Sequence, residues 1–124
     1  MKHLICAALA LAPLTLPVSA AKLPAFDGVY RPAEYPGWSC SADQVGMDGG
    51  ALAIRDGALW GVESRCDLTD PVEVRDMPGA RLFTAQCAGE GETYSYRVML
   101  MQGPDGVLYV IQSGWVSTWV PCPR

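Results

Sequence analysis

Leu52-Ala53-Ile54-Arg55, Asp56-Gly57 and Ala58-Leu59-Trp60-Gly61-Val62-Glu63 follow one another without interruption. Two apolar β-favouring runs flank a dipeptide that tolerates positive φ at both positions. That is the pattern of a hairpin closed by a type I′ turn, whose twist matches the twist of its strands. This stretch sets the reading of the rest of the chain as antiparallel β structure.

Moving outward, runs of similar length alternate with Gly, Pro and Asp punctuation. On the N-terminal side, Phe26-Asp27-Gly28-Val29-Tyr30-Arg31 reads as a strand ended by Pro32 and Pro36, and residues 37–49 read as an irregular loop carrying Trp38 and Cys40. On the C-terminal side, strands are expected over Val72-Glu73-Val74-Arg75, Arg81 to Cys87, Thr93 to Gln102, Val107 to Ile111 and Trp115 to Val120. Gly103-Pro104-Asp105-Gly106 supplies a second hairpin turn. No 3.6-residue periodicity survives beyond the first residues. The expected fold is one all-β domain of about eight strands, a small antiparallel barrel with a β-sandwich as the alternative.

The first residues have a different character. Met1-Lys2-His3 is positively charged, Leu4 to Leu16 is apolar, and Pro17-Val18-Ser19-Ala20-Ala21 supplies small residues. This is the three-part plan of a secretory signal peptide over 1–20, cut after Ala20. The apolar run is shorter than the ~20 residues that span a bilayer, and Pro13 and Pro17 interrupt it, so no stable membrane anchor is expected. The mature domain is then 21–124, periplasmic or secreted. Losing Lys2 leaves eight basic residues against thirteen acids, a net charge of −5. Such a surface disfavours nucleic acid as a partner.

Cleavage also removes Cys6, leaving Cys40, Cys66, Cys87 and Cys122. An even number in an exported chain of this size reads as two disulfides. Cys66 ends the second strand of the first hairpin and Cys87 ends a nearby strand, so these two are expected to pair. Cys40 with Cys122 would then tie the N-terminal loop to the last strand, as closing a barrel requires. No two of the four are close enough in sequence to form the paired thiolates of a zinc site.

Gly28-x-Tyr30, Cys40, Gly61-x-Glu63-x-x-Cys66, Cys87-x-x-Glu90-Gly91 and Cys122 together form an ordered pattern. It resembles small secreted proteins of proteobacteria of uncharacterised activity, in which similar spacings run through one disulfide-linked β domain. The resemblance implies a fold and carries no activity. A looser likeness is to lipocalin-type barrels, which also open with glycine, one residue and an aromatic. Small periplasmic lysozyme inhibitors share the size, strand content and disulfides; of their serine-glycine inhibitory loop, Gln112-Ser113-Gly114-Trp115 is only a superficial echo.

The chemistry open to the mature chain is narrow. Its only histidine, His3, leaves with the leader, and its only lysine is Lys22, the second residue after the cut. Imidazole and Schiff-base chemistry therefore have no carrier. Paired thiols cannot act as nucleophiles. No glycine-rich phosphate loop opens a helix, so no cofactor is expected. Asp43, Asp48 and Gly49 lack the spaced oxygen ligands of an EF-hand, and no metal is expected. What remains is a pair of carboxylates, Glu63 with Glu90 or Glu92, which could supply acid and base for glycoside hydrolysis.

The competing expectation is a non-enzymatic binding protein with no catalytic residues, its partner an unknown protein or small ligand of the envelope. Its candidate ligand-binding residues are Trp115, Trp119, Trp60 and Trp38, since aromatic side chains anchor many binding sites. Trp115, Ser117 and Trp119 share one face of the last strand by alternation. Tyr94, Tyr96, Val98 and Leu100 likewise share one face of the longest strand. These aromatics read either as core and rim of a small β fold or as a stacking platform for a flat ligand.

Overall fold

The computed structural model describes Ala8, residues 10–13 and residues 25–124. The expected leader and its cleavage site lie outside the described residues, apart from Ala8 and 10–13. Among the described residues no helix is long and apolar enough to cross a membrane.

Eight strands follow one another: β1 (Gly28–Pro32), β2 (Leu52–Arg55), β3 (Ala58–Gly61), β4 (Ser64–Glu73), β5 (Ala80–Gly89), β6 (Glu92–Gln102), β7 (Leu108–Gln112) and β8 (Trp115–Pro121). Each pairs antiparallel with its neighbour in sequence, and β8 returns to β1 through Tyr30↔Pro121 and Pro32↔Trp119, so the barrel is closed. This is the barrel expected from the sequence, not the sandwich. Two single 3-10 turns, Ala42–Gln44 and Pro104–Gly106, are the only helical elements among the described residues.

The Asp56-Gly57 hairpin forms in its expected register, Arg55↔Ala58 and Ala53↔Trp60. Asp56 and Gly57 take φ of 54° and 70°, as a type I′ turn requires. Its second strand is shorter than expected, however, because Val62 and Glu63 form a further tight turn with Glu63 at φ 49°. Cys66 therefore lies inside β4 rather than at the end of β3. β4 begins at Ser64, well before Val72. Asp70-Pro71 looks like a strand end in the sequence, but here a register shift between Thr69 and Val72 absorbs it as a bulge.

Alternation sorts the side chains. Tyr30, Leu52, Ile54, Leu59, Phe83, Val98, Leu100, Leu108, Val110 and Trp119 fill the interior together with Phe26 and the Cys66–Cys87 disulfide. An eight-stranded barrel is just wide enough for side chains to fill it in this way. Each of the larger aliphatic side chains contributes roughly 1.5–3 kcal/mol by leaving water.

The Gly28-x-Tyr30 spacing has a local cause. The Tyr30 ring folds back over Gly28, where a Cβ would stand 3.2 Å from the ring, and its hydroxyl donates a 2.6 Å hydrogen bond to the Phe26 carbonyl. The second disulfide, Cys40–Cys122, pins loop 33–51 to the chain end just after β8. Both pairings are those expected from the sequence.

The pairing also orders the two ends of the barrel. The β3–β4, β5–β6 and β7–β8 turns lie at one end, here called the rim. Loop 33–51 leaves β1 at the rim and returns there, where the Gly46 carbonyl accepts a 2.8 Å hydrogen bond from the Glu63 amide. The β2–β3, β4–β5 and β6–β7 links lie at the opposite end.

Candidate functional site

The four tryptophans occupy different surroundings. Trp119 is 6% exposed and packs in the core, 5.9 Å from the Tyr30 ring. Trp115, four residues earlier on the same face of β8, is 65% exposed at the rim, where its indole N–H donates to Ser117 Oγ at 2.9 Å. The structure therefore separates two side chains that strand alternation placed on one surface. Their face points inward, and the barrel is filled at the level of Trp119 but open at the level of Trp115.

Trp60 points outward from β3 and is half-buried between the guanidinium groups of Arg55 and Arg65, each 5.0 Å from its ring. Its indole nitrogen is buried without a hydrogen-bond partner. Trp38 stacks on Tyr35 at 6.0 Å and packs against the core from loop 33–51.

The inward face of β6 shows the same gradient as that of β8. Leu100 and Val98 are buried, Tyr96 is half-buried against the core, and Tyr94 is 46% exposed. The two tyrosine rings stack at 6.3 Å with 13° between their planes. Burial raises the Tyr96 hydroxyl above its ordinary range, with a smaller contribution from Tyr94. Trp115 and Tyr94 thus stand at the rim end of inward faces whose deeper positions are core. Val116 and Tyr35, also exposed, lie on the segments next to them.

The candidate carboxylates are at the same end. Glu63 and Glu90 both occupy left-handed turn positions, φ 49° and 50°, and Ser64↔Gly89 pairing brings the two turns side by side. Side-chain hydrogen bonding to Glu90 holds the Glu63 carboxyl above its usual range, helped by repulsion from Glu90, then by desolvation and by Asp48. Glu92 opens β6 opposite Gly89. Gln112-Ser113-Gly114-Trp115 forms the β7–β8 turn at this rim, with Gly114 at φ 74°. Among the described residues no three Asp, Glu, Cys or His side chains gather where they could hold a metal ion.

Compared with known proteins, the chain matches no family model, no curated sequence and no solved structure.

Proposed function

We propose that the mature domain is a non-enzymatic exported protein that binds another macromolecule or a small ligand at the rim of its barrel. One observation carries the reading. Trp115 and Tyr94 stay exposed at the mouth of a barrel whose interior is already full of side chains. Binding would then occur on the rim and not in an enclosed chamber. Export is supported by the signal-like leader and by the two disulfides, which persist in oxidising compartments. The absence of histidine after residue 3 and the consumption of all four mature thiols in disulfides support a non-catalytic role.

The test is affinity capture from envelope extract with wild type and with Trp115→Ala and Tyr94→Ala variants. The wild type is expected to retain a partner that both folded variants lose. Equal retention by all three moves the site away from the rim.

The apposition of Glu63 and Glu90 favours one second reading, a carboxylate-dependent hydrolase with one group as acid and the other as base. Against it, both side chains project from exposed turns, where water has free access. A glycosidase activity of the wild type that is abolished by Glu63→Gln would establish that reading instead.

A further inference from the structure

The strongest feature that the fold leaves unused is the edge of β6. β6 pairs with β5 from Glu92 to Met101, but β7 meets it only from Met99 to Gln102. Residues 92–98 therefore rise past the β7–β8 turn with one side of the strand unpaired, an edge about 20 Å long at ~3.3 Å per residue. Among the described residues, their backbone hydrogen bonds run to β5 alone. Arg97 in the edge sequence, Glu-Thr-Tyr-Ser-Tyr-Arg-Val, is turned toward β5, where it donates to Thr84 Oγ1 at 2.9 Å, and the edge has no proline, no lysine and no bulge in its register with β5. Those are the usual devices by which proteins keep strand edges from pairing. An open edge of this kind accepts an extended segment as an added strand, with backbone hydrogen bonds giving affinity and flanking side chains giving specificity.

The charges around the edge say what kind of segment would fit. The rim segments 33–35, 46–48, 62–63, 90–92 and 113–116 carry Glu34, Asp48, Glu63, Glu90 and Glu92, and no Lys or Arg, whereas the middle of loop 33–51, around Cys40, lies against the chain end at Cys122. Two cations stand close by, each already engaged: Arg65, just after the β3–β4 turn, is ion-paired with Asp67 at 3.3 Å, and Arg97, in the edge itself, donates to Thr84 Oγ1. Arg75 in the β4–β5 link and Arg81 at the start of β5 lie toward the opposite end. Tyr94 and Trp115 offer exposed aromatic surface beside the edge. Cationic side chains are attracted both by the carboxylates and by aromatic faces.

We infer that the rim docks an extended, Lys- or Arg-rich segment of a partner protein, which adds as a strand to residues 92–98 of β6. The inference rests on the rim being the binding surface and specifies the occupant of that surface. Strand addition supplies register, and the carboxylates discriminate against neutral and acidic segments.

An array of random peptides of about ten residues, probed with the full mature protein, tests this directly. Retained peptides are expected to be net positive with alternating polar and apolar residues. N-methylation of alternate backbone nitrogens in the best of them should weaken binding at least about tenfold, since it removes strand pairing while keeping charge. Raising salt from about 20 to about 300 mM should also weaken binding at least about tenfold. A Glu63→Gln/Glu90→Gln variant with an unchanged near-ultraviolet spectrum should lose the preference for positive charge. An array that retains nothing, retained peptides without a positive bias, or unimpaired binding of the N-methylated peptide each overturns the inference. So does sedimentation showing a dimer that Ser95→Asp dissociates, which would give the edge to a second copy. A neutral glycan captured by wild type and lost by Trp115→Ala would overturn this inference while leaving rim binding intact.

Discussion

Trp115 and Trp119 occupy the same face of one strand, yet Trp115 is 65% exposed and Trp119 only 6%. The difference is depth along the barrel. Trp119 sits against Tyr30 where β1 closes the wall, at the Pro32↔Trp119 pair, and Trp115 stands beyond the last residue of β1. Trp119→Ala should therefore cost about 3–5 kcal/mol through lost burial and a residual cavity. Trp115→Ala should change stability by about 0.5 kcal/mol or less, as exposed substitutions do. Urea denaturation of both variants measures this. Comparable losses would show that Trp115 is a packing residue and remove it from the binding surface.

The two disulfides should contribute unequally. Cys40–Cys122 closes a separation of 82 residues and Cys66–Cys87 one of 21. In the loop-entropy description these correspond to about 4.5 and about 3 kcal/mol. The inner bridge is also part of the core, so replacing it with two alanines adds a packing loss. Denaturant midpoints of the Cys40→Ala/Cys122→Ala and Cys66→Ala/Cys87→Ala variants separate the two contributions. If removing the outer pair leaves the midpoint unchanged, loop 33–51 is held by its hydrogen bonds alone.

The Glu63 carboxyl has its pKa raised from an ordinary 4.5, first by hydrogen bonding to Glu90 and then by that group's charge. A folded state that binds a proton more tightly than the unfolded chain gains stability where the proton is bound. The contribution is thus fully present below the ordinary value and is lost as pH rises through the raised folded value. Asp27, raised by burial and by Asp56, acts in the same direction. Stability followed from about pH 4 to about pH 7 should fall more steeply for wild type than for Glu63→Gln. Parallel curves would mean that the two carboxylates do not interact in solution.

Export predicts a processed N-terminus. Intact mass of protein recovered from the envelope should correspond to a chain beginning at Ala21. A full-length mass in the membrane fraction would contradict both the cleavage and the proposed location.

Local features were legible in the sequence wherever one or two residues fix the backbone. Asp56-Gly57 specified its own turn because positive φ at adjacent positions suits few other dipeptides. The β6 strand was legible from its run of aromatic and β-favouring residues. Ser64 to Thr69 was not, because charged Arg65 and Asp67 alternate with Cys66 and Leu68, and the turn before it depends on Glu63 adopting a left-handed conformation that its identity does not advertise.

By itself, then, the sequence determined the all-β class, the approximate number of strands, the presence of two disulfides and the scarcity of catalytic groups. These follow from side-chain period, turn residues and composition, all of which act locally or by count. Tertiary structure alone decided which end of the barrel stays open, which tryptophan is core, that Glu63 and Glu90 meet, and that β6 outruns β7. Each of these depends on register around a closed barrel, where the stagger between strands far apart in sequence sets the depth of every residue.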